Sequence, residues 1–340
     1  MRTPLVVFRV FGLMVITVFA ARAEELYRPE AEIPLGGDGG WDYLAVDAAA
    51  HRLYVSHATK VVVIDTARNA VVGEIADTPG VHGIALAPEL GRGFVSAGRA
   101  NEVNVVDLAT LKTLLKVGTD ENPDAILFEP GRKEVYAFNG RGHSATVFDA
   151  NSDAVVATIP LGGKPEFAQA DPAAGKVFVN VEDQNLVAVI DAATHAVVAR
   201  WPIAPGEEAS GLAIDGAHHR LFAGCANEKM IVLDSTDGRV VASLPAGKGI
   251  DAAAFDPGTG LAFVSNGRDG TVTVVREETP EKFAVVQTLA TQVSARTMTV
   301  DPATHRIYLT AAKLLPPEAG RRWPRVAPGS VKVLVYGLGS

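Results

Sequence analysis

A short segment with a polar second residue and a run of small and apolar residues after it recurs seven times along the chain. The second residues of successive copies are separated by 40, 42, 42, 44, 41 and 45 positions. A repeat of about 42 residues is the length of one blade of a β-propeller. The copies are WDYLAVD (41–47), VHGIALAP (81–88), PDAILFEP (123–130), PEFAQADP (165–172), ASGLAIDG (209–216), IDAAAFDP (250–257) and ARTMTVDP (295–302).

Each of the first six copies is followed by three more short segments that favour β-strands. In the first repeat these are LYVS (53–56), KVVVID (60–65) and AVVGEI (70–75), which are rich in valine and isoleucine and bounded by turn residues. Apolar positions do not recur at helical spacing after the first residues of the chain. The sequence therefore predicts an all-β, seven-bladed propeller with four antiparallel strands in each blade.

The two ends of the chain predict how the ring closes. The last repeat offers strands at 295–301, 306–311 and 331–336, and the chain stops before a fourth. Near the N-terminus, AEIPLGG (31–37) closely matches ATIPLGG (157–163), which occupies a fourth-strand position. We expect the N-terminal segment to complete the last blade and to leave no open sheet edge.

The first residues have the pattern of a secretory signal peptide. Arg2 and Arg9 precede the apolar run Val10 to Ala20, and Ala21-Arg22-Ala23 follows. This pattern predicts a signal peptide over 1–23 and a single propeller domain over 24–340. The run is shorter than the ~20 residues of a membrane helix. We therefore expect a periplasmic or secreted protein with no membrane span after cleavage.

The charge of the chain bears on its partners. The formal net charge is −8, and removal of the three arginines within residues 1–23 takes it to −11. An acidic protein repels nucleic acid, so nucleic acid is not the expected partner. A small molecule or a periplasmic protein fits better.

Several segments resemble a known family, the YVTN-repeat or YncE-like β-propellers of bacteria. The resemblance extends over nearly all of residues 24–340 and implies a seven-bladed propeller. Proteins of this kind include exported proteins, nucleic-acid binders and subunits of redox complexes, so the resemblance specifies the fold more closely than the function. The matching segments are LYVSHATKVVVID (53–65), GFVSAGRANEVNVVD (93–107), VFVNVEDQNLVAVID (177–191) and AFVSNGRDGTVTVV (262–275).

The second residues of the seven first strands form a predicted ring at the channel mouth, which we call the mouth ring. In a propeller, the start of the first strand and the loop between the second and third strands share one face, here called the top face, where sites usually lie. Four carboxylates around a narrow opening need positive charge nearby, or some of their pKa values must rise. The mouth ring consists of Asp42, His82, Asp124, Glu166, Ser210, Asp251 and Arg296.

Further ligand-binding candidates lie in the top-face loops. The insertion 312–330, in the last blade, carries Trp323 among prolines and arginines and offers stacking and cationic contacts to a ligand; the alternative is a solvated loop. The segment DENPD (120–124) places oxygen atoms on alternate residues. The other loop candidates are Asn139, His143, Glu182, Asn227, Asn266 and Arg268.

A divalent metal is a candidate cofactor of the mouth. Carboxylate oxygens with one imidazole suit Ca²⁺, Mg²⁺, Mn²⁺ or Zn²⁺, and the candidate ligands are His82, Asp124, Glu166 and Asp251. The alternative is a water-filled channel whose lining residues hydrogen-bond to one another.

Cys225 and five histidines are assigned to structural positions. Cys225 ends an apolar strand, which favours a packed residue over a reactive thiol. The histidines at 51, 195, 218, 219 and 305 are expected to be solvated turn residues on the opposite face.

Three classes of function remain open from the sequence. The first is an exported propeller that binds a small molecule, a metal or a protein partner at the channel mouth. The second is a lactonase-type hydrolase, in which Glu166 or Asp251 activates water while His82 and Arg296 stabilise the developing oxyanion. The third is a subunit of a periplasmic redox complex, which would need a partner because the sequence has no haem or quinone-forming motif.

Overall fold

Residues 26–316 and 324–339, described by a computed structural model, form seven four-stranded antiparallel sheets. This confirms the predicted all-β, seven-bladed propeller. The predicted signal peptide 1–23 and Trp323 lie outside the described residues.

The 28 strands follow the repeat, and the innermost strand of each blade comes first in the following description. Blade 1 contains β2 (Trp41–Asp47), β3 (Arg52–His57), β4 (Lys60–Asp65) and β5 (Ala70–Ile75); blade 2 contains β6 (Val81–Ala87), β7 (Arg92–Ala97), β8 (Glu102–Asp107) and β9 (Lys112–Gly118); blade 3 contains β10 (Pro123–Glu129), β11 (Glu134–Asn139), β12 (Ser144–Asp149) and β13 (Val155–Pro160). Blade 4 contains β14 (Pro165–Asp171), β15 (Lys176–Val181), β16 (Leu186–Asp191) and β17 (Ala196–Pro202); blade 5 contains β18 (Ala209–Asp215), β19 (Arg220–Cys225), β20 (Lys229–Asp234) and β21 (Val240–Pro245). Blade 6 contains β22 (Ile250–Asp256), β23 (Leu261–Asn266), β24 (Thr271–Thr279) and β25 (Lys282–Ala290); blade 7 contains β26 (Thr297–Asp301), β27 (Arg306–Ala311), β28 (Lys332–Leu338) and β1 (Tyr27–Pro34).

Blade 7 is completed by the N-terminal strand, as the sequence predicts. β1 runs antiparallel to β28, from the pair Tyr27 and Leu338 to the pair Pro34 and Lys332. The Tyr27 ring is buried, and its hydroxyl donates to the carbonyl oxygen of His305 at 2.9 Å. The strand therefore contributes both backbone pairing and core packing to ring closure.

The core lies between neighbouring blades. β-Branched residues suit these layers because their side chains pack against the pleated surface of the next sheet. One cluster joins Val61 and Val63 of blade 1 to Val95 and Val106 of blade 2. The fourth strands face outward, so Val72 in β5 is exposed.

The aspartates that end the third strands make turn hydrogen bonds on the face opposite the mouth. Asp107 Oδ1 accepts from the backbone N–H of Thr110 at 2.6 Å, and Asp149 Oδ1 accepts from that of Ser152 at 2.7 Å. Blade 6 departs from this pattern, because β24 and β25 extend to nine residues each.

Helical structure among the described residues is confined to the short 3₁₀ turns Pro88–Leu90 and Glu182–Gln184. Within the part of the chain that the structure describes, no helix is long and apolar enough to cross a membrane.

Candidate functional site at the channel mouth

A β-bulge at the start of the first strand directs the mouth-ring side chains inward. In blade 1, Trp41 pairs with His57 but Leu44 pairs with Val55, so the first strand holds one extra residue. The same shift occurs in blades 2 to 6. Because a bulge re-aims the side chains within it, the second and third residues of these strands can face the channel.

A polar residue of the preceding blade holds the backbone carbonyl of four mouth-ring residues. Ser96 Oγ donates to the backbone carbonyl of Asp124 at 2.6 Å, and Asn180 Nδ2 donates to that of Ser210 at 2.9 Å. Equivalent bonds join Ser56 to the His82 carbonyl and Ser265 to the Arg296 carbonyl. The polar residue after the apolar pair of the second strand, as in LYVS, thus positions the mouth ring of the next blade.

His82 lies between two carboxylates of the neighbouring blades. Its Nδ1 is 2.7 Å from Asp42 Oδ2 and 3.6 Å from Asp124 Oδ1. Burial lowers the pKa of His82, but the hydrogen bond with Asp42 and the charges of Asp124 and Glu166 outweigh it and raise the pKa to about 9. His82 is therefore an imidazolium at neutral pH.

Arg296 supplies the second positive charge of the mouth ring. Its guanidinium donates to Asp251 and, at 2.8 Å, to the backbone carbonyl of Trp41. The same group lies 5.7 Å from the centre of the Trp41 ring, a cation–π distance. Ser210 Oγ donates to the other Asp251 oxygen at 3.1 Å, so this side of the ring is hydrogen-bonded.

Glu166 is held by a lysine that precedes it by two residues. Lys164 Nζ lies 2.5 Å from Glu166 Oε1 and 2.5 Å from Glu182 Oε2. Burial and the charge of Asp124 raise the pKa of Glu166 to about 8, although Lys164 acts in the opposite direction. Burial also raises the pKa of Asp124 to about 6, against the lowering effect of His82.

Two aromatic rings occupy the channel beside the mouth ring, and we call them the aromatic floor. The centroids of Tyr43 and Phe167, from blades 1 and 4, are 4.3 Å apart. Burial and the charges of Asp124 and Glu166 hold the pKa of Tyr43 well above its usual value. The equivalent residue in blade 5 is Gly211, where a Cβ would collide with the backbone of blade 6. The third residue of most first-strand segments is small, so the rings of Tyr43 and Phe167 can fill the channel at this level.

The four predicted metal ligands do not converge on one point. Among the described residues, ligand atoms of Asp42, His82 and Asp124 lie within 4.8 Å of one another. Glu166 and Asp251 are instead engaged by Lys164 and Arg296. These three convergent residues could hold a divalent cation only if it displaced the proton of His82 Nδ1.

Several loop candidates serve their own blades rather than the mouth. Asn139 and Asn266 are buried, and their amide groups donate to hydroxyls of the third strand. Asn227 bridges loop backbone groups, accepting from Glu207 N at 3.2 Å and donating to Pro205 O at 2.9 Å. These residues lie at or just after the ends of second strands, where a side chain can hydrogen-bond to its own blade instead of reaching the channel.

The remaining top-face candidates occupy different environments. Glu182 joins the mouth through Lys164, whereas His143 and Arg268 are exposed in turns. Asp120, in DENPD, accepts from Ser144 Oγ at 2.8 Å instead of facing the channel beside Asp124.

Two other residues with reactive side chains are packed. His57 is buried, with its ring nitrogens each 3.0 Å from a carbonyl oxygen, one of Gly36 and one of Gly40, so it holds the loop after β1. Cys225 lies in the core, and burial raises the pKa of its thiol to about 12, which agrees with a packed residue.

The opposite-face histidines lie in turns, but three of them pair with carboxylates. His195 Nε2 is 2.9 Å from Glu134 Oε2, and only 17% of the His195 side chain is exposed. His305 Nδ1 is 2.8 Å from Asp256 Oδ2. The expectation of simple solvated turns is wrong for these residues, because an acid of the preceding blade lies against His195 and His305, and Asp215 and Glu277 lie against His218.

Comparison with known proteins supports the YncE-like resemblance. No family model matches the chain. Two curated relatives, each called uncharacterized protein YncE, come from Salmonella typhimurium strain LT2 and Salmonella typhi and are 28% identical over 148 residues. The match covers 42% of this chain and 42% of each relative, less than half of their length.

Solved structures support the fold alone, since their identities to this chain are low. Kuenenia stuttgartiensis hydrazine synthase superposes with a TM-score of 0.69 at 17% identity, over 80% of this chain and 92% of that one. The RRP9 WD40 repeats give 0.77 at 12% identity, over 92% and 100% of the two chains. U3-55K gives 0.75 at 12%, over 90% and 99%.

Proposed function

We propose that this chain is an exported, YncE-like propeller that binds a small cationic ligand, either an amine or a divalent metal ion, at the top-face channel mouth. The observation that carries the proposal is the arrangement of the mouth, where the four mouth-ring carboxyls and Glu182 surround only three cations, His82, Lys164 and Arg296. Negative charge there exceeds what the neighbouring cations neutralise, so a bound cation is favoured. The aromatic floor adds a face suited to an ammonium group.

Export is supported by the predicted signal peptide over 1–23. Expression of the full chain in a bacterial host followed by fractionation and N-terminal sequencing tests it. We expect a periplasmic product that begins at Glu24. An uncleaved chain in the cytoplasm contradicts the proposed export.

Binding is tested by isothermal titration calorimetry with Mn²⁺, Zn²⁺ and alkylamines, in two buffers of different ionisation enthalpy. A cation favours the ionised form of Glu166, so binding near pH 7 should release protons. Glu166→Gln should abolish that release for an alkylamine and reduce it for a metal ion, which also displaces the proton of His82. Asp124→Asn should weaken binding at least about tenfold, since a charged contact contributes about 1.5–3 kcal/mol.

Glu74→Gln is the matched control, because Glu74 is an exposed residue of the outermost strand of blade 1, where it pairs with Lys60. It should leave affinity unchanged. Absence of binding by any of these cations, or equal affinity in Asp124→Asn and Glu74→Gln, contradicts the proposal.

A hydrolase is the second candidate, and the pKa of Glu166, about 8, favours it. A carboxyl that titrates near neutral pH can transfer a proton in either direction. Aldono-lactone hydrolysis by the wild type should then rise with pH through about 8 and be lost in Glu166→Gln. Equal rates in the two proteins contradict it. The redox-subunit hypothesis stays a prediction.

A further inference from the structure

A second group of metal-ligating side chains lies on the opposite face, between blades 5 and 6. Asp215 ends β18, His218 lies in the turn between β18 and β19, and Glu277 lies in β24. One ligand atom of each residue lies within 4.8 Å of the other two. We call these three residues the opposite-face cluster.

The cluster has one hydrogen for two carboxylates. His218 Nδ1 lies 2.7 Å from Asp215 Oδ2 and 3.0 Å from Glu277 Oε1. A ring nitrogen carries at most one hydrogen, so it can satisfy one of them. The Glu277 side chain is 2% exposed, and both of its oxygens are buried without a hydrogen bond. Such a carboxylate is costly unless a cation meets it.

The nearest guanidinium does not fill this role. Arg220 donates instead to Asp234 Oδ2 at 2.8 Å, Glu281 Oε1 at 2.9 Å and the backbone carbonyl of Pro280 at 2.6 Å. The cluster is short of positive charge.

We propose that the opposite-face cluster binds a divalent transition metal, best matched by Zn²⁺, through His218 Nδ1, Asp215 Oδ2 and Glu277 Oε1. An imidazole with two carboxylates is a zinc ligand set, and the imidazole selects against Ca²⁺ and Mg²⁺. The metal replaces the shared proton and satisfies both acids at once.

The surroundings of the three ligands suit metal entry and orientation. Asp215 Oδ1 accepts from the backbone N–H of Ala217 at 2.9 Å, which leaves Oδ2 for the metal. The His218 side chain is 51% exposed, so solvent reaches the site and water can complete the coordination. Because the ligands come from two blades, the ion links blade 5 to blade 6.

Titration of the chelator-treated full chain with ZnCl₂, followed by calorimetry, tests the site. His218→Ala and Glu277→Gln should each raise the Kd for one equivalent of zinc at least about tenfold. Loss of a residue that only supports a metal ligand already lowers metal affinity by about that factor. His219→Asn changes the adjacent exposed histidine at a positive φ that Asn tolerates, and should bind as the wild type does.

His82→Ala distinguishes zinc bound at this cluster from zinc bound at the channel mouth. This variant should still bind one equivalent of zinc at the opposite-face cluster. Zinc should also raise the Tm of the wild type and of His82→Ala but not that of His218→Ala. The proposal is overturned if His82→Ala abolishes all zinc binding. It is also overturned if His218→Ala and His219→Asn bind zinc with the same affinity. His218 is exposed, so its variant remains informative if Glu277→Gln fails to fold.

Discussion

Asp251 and Asp256 lie at the two ends of the same strand, β22, and meet different surroundings. Asp256, on the opposite face, is fully buried and accepts from Gly258 N at 3.0 Å, Thr259 Oγ1 at 2.8 Å and His305 Nδ1 at 2.8 Å. Asp251, at the mouth, is one-quarter exposed and meets Arg296 and Ser210. The same residue type is a structural acceptor at one end and part of a charged ring at the other.

The pKa shifts of the turn aspartates and the mouth carboxyls differ in the same way. Hydrogen bonds from Lys176 and Thr194 hold the pKa of the turn residue Asp191 at about 2. Burial raises the pKa values of Asp124 and Glu166 in the mouth. Turn carboxylates therefore favour the folded state in their ionised form, whereas mouth carboxylates resist ionisation there. Ionisation of the mouth carboxyls therefore does not stabilise the fold.

The largest expected change in stability comes from Asp256→Ala, and Asp251→Ala at the other end of β22 is its comparison. Asp256→Ala leaves three donors without an acceptor, so it should lower the free energy of unfolding by about 3 kcal/mol, at about 1 kcal/mol for each bond. Asp251→Ala should lower it by less than about 1 kcal/mol, because water can reach Arg296. Urea unfolding at pH 7 measures both, and equal losses contradict the division of roles.

The mouth residues and the turn aspartates should also make stability depend on pH in opposite ways. Glu166 titrates at about 8 in the folded state and near 4.5 otherwise, and His82 at about 9 instead of 6.5. The folded state thus holds more protons, so stability falls as pH rises from about 4.5 to 9, by up to about 1.4 kcal/mol per pH unit for each proton. The turn aspartate Asp191 acts oppositely, and its contribution is lost as pH falls from about 4 to 2.

Urea unfolding between pH 3 and pH 9 checks these signs. Glu166→Gln should flatten the decline between pH 4.5 and pH 8 and leave the acid limb unchanged. A wild type whose stability rises from pH 5 to pH 8 contradicts the raised pKa values.

The fold and the membership of the mouth ring could be predicted from the sequence because both follow from the repeat. A blade-length period with four strand segments specifies the architecture, and equivalent positions in a ring face the same channel. The match between AEIPLGG and ATIPLGG likewise indicated the fourth strand of the last blade.

The pairings inside the site were not predictable, because they depend on which side chains reach across blades. Lys164 could have been noticed two residues before Glu166, but its bond to Glu182 requires the folded loops. The large third residues Tyr43 and Phe167 stand out among small ones in the aligned repeats, yet their stacking depends on the channel width. Asn139 is buried because its amide donates to Thr146 Oγ1 in the third strand of its own blade, and the repeat does not specify that contact.

The smallest expected change in stability comes from Asp124→Asn. The Asp124 carboxylate opposes its own burial, and Ser96 holds the backbone carbonyl whatever the side chain is. Asp124→Asn should therefore not lower the free energy of unfolding at pH 7 by more than about 0.5 kcal/mol, the usual limit for a substitution that breaks no structural contact. The pKa of His82 should nevertheless fall below about 9, and fall further in Asp42→Asn, since Asp42 makes the 2.7 Å contact. NMR titration of the His82 ring measures this. A loss of stability as large as that of Asp256→Ala would make the mouth carboxylates structural and remove the distinction between the two faces.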